Sequence, residues 1–152
     1  GRGTGLDDAG LVRKQRVVEH ALNHCTVFDG ASVIMQIGGR DIAGLYGALG
    51  RAAEKNIPVL IDGFVVGAAA LALVRDFPEA HSRFVWAHRS AEQGHERLLA
   101  GLDAVGILDL GMRLGEASGA LAAFPLLEAA CVLHNHMATF ADAAVTHRNE
   151  AP

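Results

Sequence analysis

A chain of 152 residues and 15.9 kDa is one domain's worth of protein, long enough to bury a core. Half of its residues are hydrophobic but only 5% are aromatic, so small aliphatic side chains must do the packing, and 17 acidic groups outnumber 13 basic ones. The resulting charge of -4 excludes a surface that tracks nucleic-acid phosphates, which needs an excess of Lys and Arg. Cys25 and Cys131 lie far apart without a CxxC partner, defining neither a disulfide framework nor a zinc site, and a reducing cytoplasm is the expected compartment. No basic, apolar leader precedes the first motif, so no signal peptide is expected. The most apolar run, Phe64 to Val74, falls short of the roughly 20 residues that cross a bilayer and reads as a buried helix, so no membrane association is expected.

In chain order, the glycine loop GRGTG leads into a helix that Asp7 or Asp8 can cap, with Leu11, Val18, Leu22 and Cys25 near one face. Such loops normally connect a strand to a helix, so a strand is expected before it. The two aspartates in the first turn would repel an anion, which argues against the loop itself as a phosphate cradle. From Asp29 to Asn56 the apolar spacing predicts two helices divided at Gly38-Gly39, although VIMQI alone has the β-propensity of a strand. Gly44 and Gly47 are expected to let the second helix approach a neighbour closely.

Pro58 starts the clearest strand, Val59 to Ile61, a continuous apolar run suited to a parallel strand covered on both faces. Asp62 ends it and can either shape a site or cap the helix Phe64 to Arg75, with capping favoured. Phe84 to Ala87 is the next strand, and His88-Arg89-Ser90 leaves it toward a helix predicted over Ala91 to Leu102. Strand end, hydroxyl and helix N-terminus coincide at Ser90, which makes it a phosphate-binding candidate and equally a helix cap with Gln93 completing the box. The histidine pairs, His88 with His95 and His134 with His136, lack the spacing and third ligand of a zinc site, so no metal is expected. His95 is read as a surface or packing residue.

Leu108 to Gly119, LDLGMRLGEASG, organises the rest. Ile107, Leu108 and Leu110 can end a third buried strand, and Gly111, Gly115 and Gly119 let the backbone turn sharply beside a ligand. A carboxylate at the tip of that turn, Glu116, is a candidate base, because ligands of open α/β sheets sit in the crevice beyond the strand ends; its alternative role is to face the positive end of the following helix. That helix is predicted from Ala120 to about Val145, bent or broken near Pro125, with Leu126, Leu127, Ala130, Leu133 and Met137 as an apolar stripe. The tail THRNEAP is polar and expected to fray. The fold class expected is α/β: a parallel, Rossmann-like sheet flanked by helices over residues 1–119, a helical segment over 120–145 that contributes to a smaller helical domain or a dimer contact, and a tail over 146–152.

Four blocks, GRGTGLDDAGLVRK, PVLIDGFVVGAAAL, AHRSAEQGH and GMRLGEASGA, together resemble the nicotinate-nucleotide:dimethylbenzimidazole phosphoribosyltransferase family, whose members make the lower-ligand nucleotide of cobalamin. The resemblance runs from Gly1 to about Val145 and covers the C-terminal portion of the family chain; the N-terminal portion, with an EMGIGNTT-like segment associated with the nucleotide site, has no counterpart. It implies transfer of phosphoribose from nicotinate mononucleotide to dimethylbenzimidazole, with Glu116 as the base, Leu114 and Gly115 in the base pocket, and Ser90 near the nucleotide phosphate. Lys14 is implied as the phosphate lysine, with Arg13 its neighbour should the alignment slip. No cofactor is implied, and the family's habit together with the surplus apolar surface of the last helix implies a homodimer. The competing reading is a non-catalytic ligand-binding or assembly domain on the same scaffold, or an inactive fragment of the transferase.

Overall fold

The computed structural model describes residues 2, 3 and 5–144; the predicted polar tail lies outside the described residues. Helix α1, Asp8–His24, is capped by Asp7, whose side chain accepts from the Gly10 N–H at 2.7 Å. Helix α2, Gly30–Val33, widens into a π-turn over Ile34–Gly38, and α3 follows over Gly39–Glu54. Val33 to Ile37 is therefore helical, and the chain breaks where the glycine pair sits, with Gly39 at φ 79°. Strand β1, Val59–Ile61, leads into α4, Phe64–Asp76; a 3-10 turn over Pro78–Arg83 returns the chain to β2, Phe84–Trp86. Helices α5, His95–Gly101, and α6, Ser118–His136, complete the order.

The two strands pair in parallel, Val59 opposite Phe84 and Ile61 opposite Trp86. The ladder extends by one bridge, His88 to Leu108, and the Ile107 N–H donates to the Trp86 carbonyl at 2.9 Å. This is a helix-rich α/β arrangement on a small parallel sheet. The third predicted strand is reduced to that bridge, and the apolar residues around it are not buried: Ile107 and Leu110 are exposed. The reason is local. After Leu108 the chain leaves the ladder at Asp109, whose carboxylate is held by the Arg89 guanidinium at 3.0 Å.

The core lies around α4, which has small residues, Gly67, Ala69 and Ala70, where it meets its neighbours. Leu49 of α3, Ile61 and Trp86 of the strands, and Leu98 and Leu99 of α5 close around Leu73. Gly67 is the close-approach position, since a methyl there would meet Leu98 and the Trp86 ring at 3.3 to 3.5 Å. Gly44 and Gly47 do not play that part: both face open space, because the side of α3 turned toward α4 carries Gly50, 3.4 Å from Leu73. Asp76, at the end of α4, fastens the second layer. Its carboxylate accepts from the Gly30 and Ala31 N–H groups, each at 2.7 Å, and from the Tyr46 hydroxyl at 2.7 Å.

Helices α1 and α6 are peripheral. Val18 and Leu22 of α1 are exposed, so the expected apolar face meets only its ends, Gly10 and Cys25, which are buried. Helix α6 continues through Pro125 and stops at His136, earlier than predicted. Its predicted stripe is largely open to solvent, with Leu133 and Met137 exposed by 59% and 71%.

Candidate active site

Parallel pairing releases β1 and β2 at the same edge of the sheet, so Asp62-Gly63 and Ala87-His88 emerge side by side. A cleft of about 760 Å³ opens there, within the size range of small-molecule sites. Helix α1 contributes Lys14, the first turn of α4 contributes Phe64 and Val65, the segment after β2 contributes Ser90, and the loop before α6 contributes Arg113, Leu114, Gly115 and Glu116. All five candidates from the sequence, Lys14, Ser90, Leu114, Gly115 and Glu116, thus share one cavity. Arg13 is not among its lining residues. Gly111 flanks Ser90 in an adjoining hollow, so the ends of all three segments lie along one edge.

The loop carrying Glu116 is wound left-handed at three successive residues: Gly115 at φ 83°, Glu116 at 56° and Ala117 at 61°. Only glycine takes this region without cost, and two side chains held there store strain that other contacts must offset. One such contact is visible. Ala117 is the N-cap of α6 but supplies no side-chain bond, whereas Asp62 Oδ1, at the end of β1, accepts from the Ala120 N–H at 2.8 Å. Asp62 therefore caps α6 and not α4, whose N-cap is Gly63 with no side-chain bond. The physical reason is reach: parallel strands bring the α6 N-terminus, with its unsatisfied N–H groups, directly over the end of β1. Glu116 is relieved of a capping role and stands exposed in the cleft.

Ser90 is buried, its N–H donates to His95 Nδ1 at 2.8 Å, and its hydroxyl accepts from the Glu92 N–H at 3.3 Å. It does not cap a helix. Turns occupy Ala91 to Gly94 and α5 begins only at His95, because Phe64 packs over Gly94, where a methyl would come within 2.5 Å of the ring. His95, read from sequence as a surface or packing residue, is fully buried at 0% exposure and serves as the acceptor that fixes the Ser90 backbone. Burial, with the neighbouring His88 adding to it, pushes its imidazole below the usual histidine range, which keeps Nδ1 free to accept. His88 is 2% exposed, its Nε2 lies 4.0 Å from Asp62 Oδ1, and Gly119 lies so close that any side chain there would overlap the ring.

The cleft thus combines a lysine and an arginine, three carboxylates (Asp62, Glu92 and Glu116), an aromatic edge from Phe64, and a serine held by a buried histidine. That set offers two basic groups that can meet an anion, an aromatic edge that can meet a ring, and carboxylates that can accept a proton. Sequence reasoning singled out the cleft's loop residues and missed Arg113, Phe64 and the buried histidines. Gly119 in the GEASG run was the available signal for His88, since a glycine there implies close approach.

A family model described as phosphoribosyltransferase matches residues 1–145. The nicotinate-nucleotide–dimethylbenzimidazole phosphoribosyltransferase of Azotobacter vinelandii is 50% identical over 147 residues, covering 95% of this chain and 42% of the relative. That of a Bradyrhizobium species is 47% identical over 151 residues, covering 97% and 43%. The crystal structure of CobT from Thermus thermophilus superposes with a TM-score of 0.89 at 36% identity, covering 97% of this chain and 44% of that one. The chain spans less than half the length of the relatives it matches. With the matched residues running through every wall of the cleft, the chain belongs to the phosphoribosyltransferase family, in the group of the nicotinate-nucleotide–dimethylbenzimidazole phosphoribosyltransferases.

Proposed function

We propose that this chain forms part of an enzyme that transfers phosphoribose from nicotinate mononucleotide to dimethylbenzimidazole, releasing nicotinate and giving α-ribazole phosphate for the nucleotide loop of cobalamin. The observation that carries the reading is the convergence of Lys14, Ser90, Leu114, Gly115 and Glu116 on one cleft at the strand ends. The chemistry asks little of the protein. The departing pyridine nitrogen is cationic and leaves as a neutral base without an acid, so the protein must anchor the phosphate, hold the two rings on opposite faces of the ribose, and take the proton from the incoming benzimidazole. Lys14 and Ser90 serve as the anchor, Leu114 and Gly115 as part of the base pocket, and Glu116 as the proton acceptor; its exposure into the cleft and freedom from capping suit that task.

Leu114 is 73% exposed, so the base pocket is open on this side. In the proposed enzyme the remaining wall comes from the portion of the relatives' length that this chain does not span. Residues 1–119 would form part of a larger Rossmann-like catalytic domain, and 120–145 a helical segment whose exposed apolar face pairs with a second copy in a cytoplasmic homodimer. Among the described residues no helix is long and apolar enough to cross a membrane. The test is ribazole phosphate formation by the chain alone and joined to the preceding portion of a relative. Turnover is expected only in the joined form, since without enforced geometry roughly 7–11 kcal/mol of rate advantage is lost. Glu116→Gln should then lower it on the order of 10²–10⁴-fold while nucleotide binding survives. Robust turnover by the chain alone, or near-normal turnover of the Gln variant, would refute these assignments.

A further inference from the structure

We propose that His88 and His95 are positioning residues for the transfer: two neutral, buried imidazoles, each with its proton on Nε2, that hold Ser90 and the Glu116 loop in one polar network. The inference rests on the transferase reading above and deepens it, because that reading gives neither ring a task. His88 lines the cleft and His95 stands beside it, their ring centroids 6.2 Å apart. Both are buried, and each keeps one ring nitrogen without a partner among the described residues.

A backbone N–H can only donate, so the Ser90 N–H at 2.8 Å fixes His95 Nδ1 as an acceptor and puts that ring's proton on Nε2. Burial, and after it His88, holds this imidazole below the usual histidine range while Asp62 opposes the shift, so the neutral form persists at neutral pH. The His95 Nε2–H is then a buried donor in need of an acceptor, and His88 Nδ1, on the neighbouring ring, is the complementary orphan. An unprotonated His88 Nδ1 satisfies both atoms through one bridging water across the 6.2 Å between the rings. It also puts the His88 proton on Nε2, the nitrogen 4.0 Å from Asp62 Oδ1. Asp62 Oδ1 in turn accepts from the Ala120 N–H at 2.8 Å, in the first turn of the helix that follows Glu116. Donors and acceptors thus alternate without conflict from Ser90 through both rings and Asp62 to Ala120. At the Ser90 end, the hydroxyl accepts from the Glu92 N–H at 3.3 Å, which leaves its own proton to donate to a phosphate.

Ring-nitrogen NMR of labelled histidine, in the chain joined to the preceding portion of a relative, reads each tautomer without substrate. Neutral His88 and His95 with the proton on Nε2 are expected at neutral pH; a proton on Nδ1, or a charged ring, at either position overturns the proposal. Kinetics of the same protein test the role, using amides that each keep the place of one ring nitrogen: Asn sets its oxygen near Nδ1, and Gln sets its amide near Nε2. His95→Phe should raise KM for nicotinate mononucleotide about tenfold with kcat held, the scale of one buried donor left unpaired. His95→Asn should recover most of that loss, and His95→Gln should not. His88→Phe should instead lower kcat about tenfold by loosening the Glu116 loop, with His88→Gln recovering it better than His88→Asn. Losses shared equally by KM and kcat, or amides that rescue in the opposite order or not at all, would reduce both rings to packing and overturn the proposal. Absence of ribazole phosphate formation by the unsubstituted protein would instead reject the transferase reading and the positioning role with it, whereas the tautomers decide the network either way.

Discussion

Removing the Asp62 carboxylate should loosen the start of α6 and with it the loop that carries Glu116. In Asp62→Ala the Ala120 N–H loses the acceptor it holds at 2.8 Å, in a place where the Asp62 side chain is only 14% exposed. An orphaned, partly buried N–H costs about 1–3 kcal/mol, and the lost negative charge at a helix N-terminus costs about 0.3–1 kcal/mol more. The sum, about 1.3–4 kcal/mol, is roughly a 10- to 700-fold smaller folding constant at 1.4 kcal/mol per decade. Asp62→Asn keeps an oxygen in place and forfeits only the charge, so its loss should be about 1 kcal/mol or less. Urea unfolding monitored through Trp86, the chain's only tryptophan, measures both variants, and amide exchange at Ala120 reports the local effect. Unchanged exchange at Ala120 in the Ala variant, or equal destabilisation by Asn and Ala, would refute the assignment of this hydrogen bond as the clamp.

Gly119→Ala should destabilise by about 1–3 kcal/mol, because the added methyl overlaps the buried His88 ring; an unchanged unfolding midpoint would show that α6 or the ring can shift freely. Tyr46 is the only tyrosine, so tyrosinate absorbance reads it alone. Its hydroxyl is pushed up to about 12 by burial and by the bond to Asp76. The folded chain then keeps the proton that the unfolded chain releases near pH 10, so stability is intact below pH 10 and is lost as pH rises toward about 12. Tyr46→Phe should flatten that alkaline loss, and a midpoint near 10 in the folded protein would contradict the burial of the hydroxyl.

The elements whose identity depends on neighbours along the chain were legible in the sequence. Val59 to Ile61 is a strand because an unbroken apolar run between Pro58 and Asp62 suits burial on both faces, and Phe64 to Asp76 is a helix because small residues recur where it meets the core. The left-handed turn at Gly115 and the exposed carboxylate after it also follow from local chemistry. Tertiary structure alone decided where polar groups find their partners. Asp62 bonds a backbone group 58 residues away instead of the helix beside it, and Asp76 bonds Gly30 and Ala31 from 46 and 45 residues away. The helix expected at Ala91 starts only at His95, where Phe64 packs over Gly94 and the His95 ring takes the Ser90 N–H. Hydrophobic periodicity reports which face of a segment is buried, whereas a carboxylate or imidazole reports only that a partner is needed. Which of many unsatisfied N–H groups becomes that partner depends on the packing that brings the segments together.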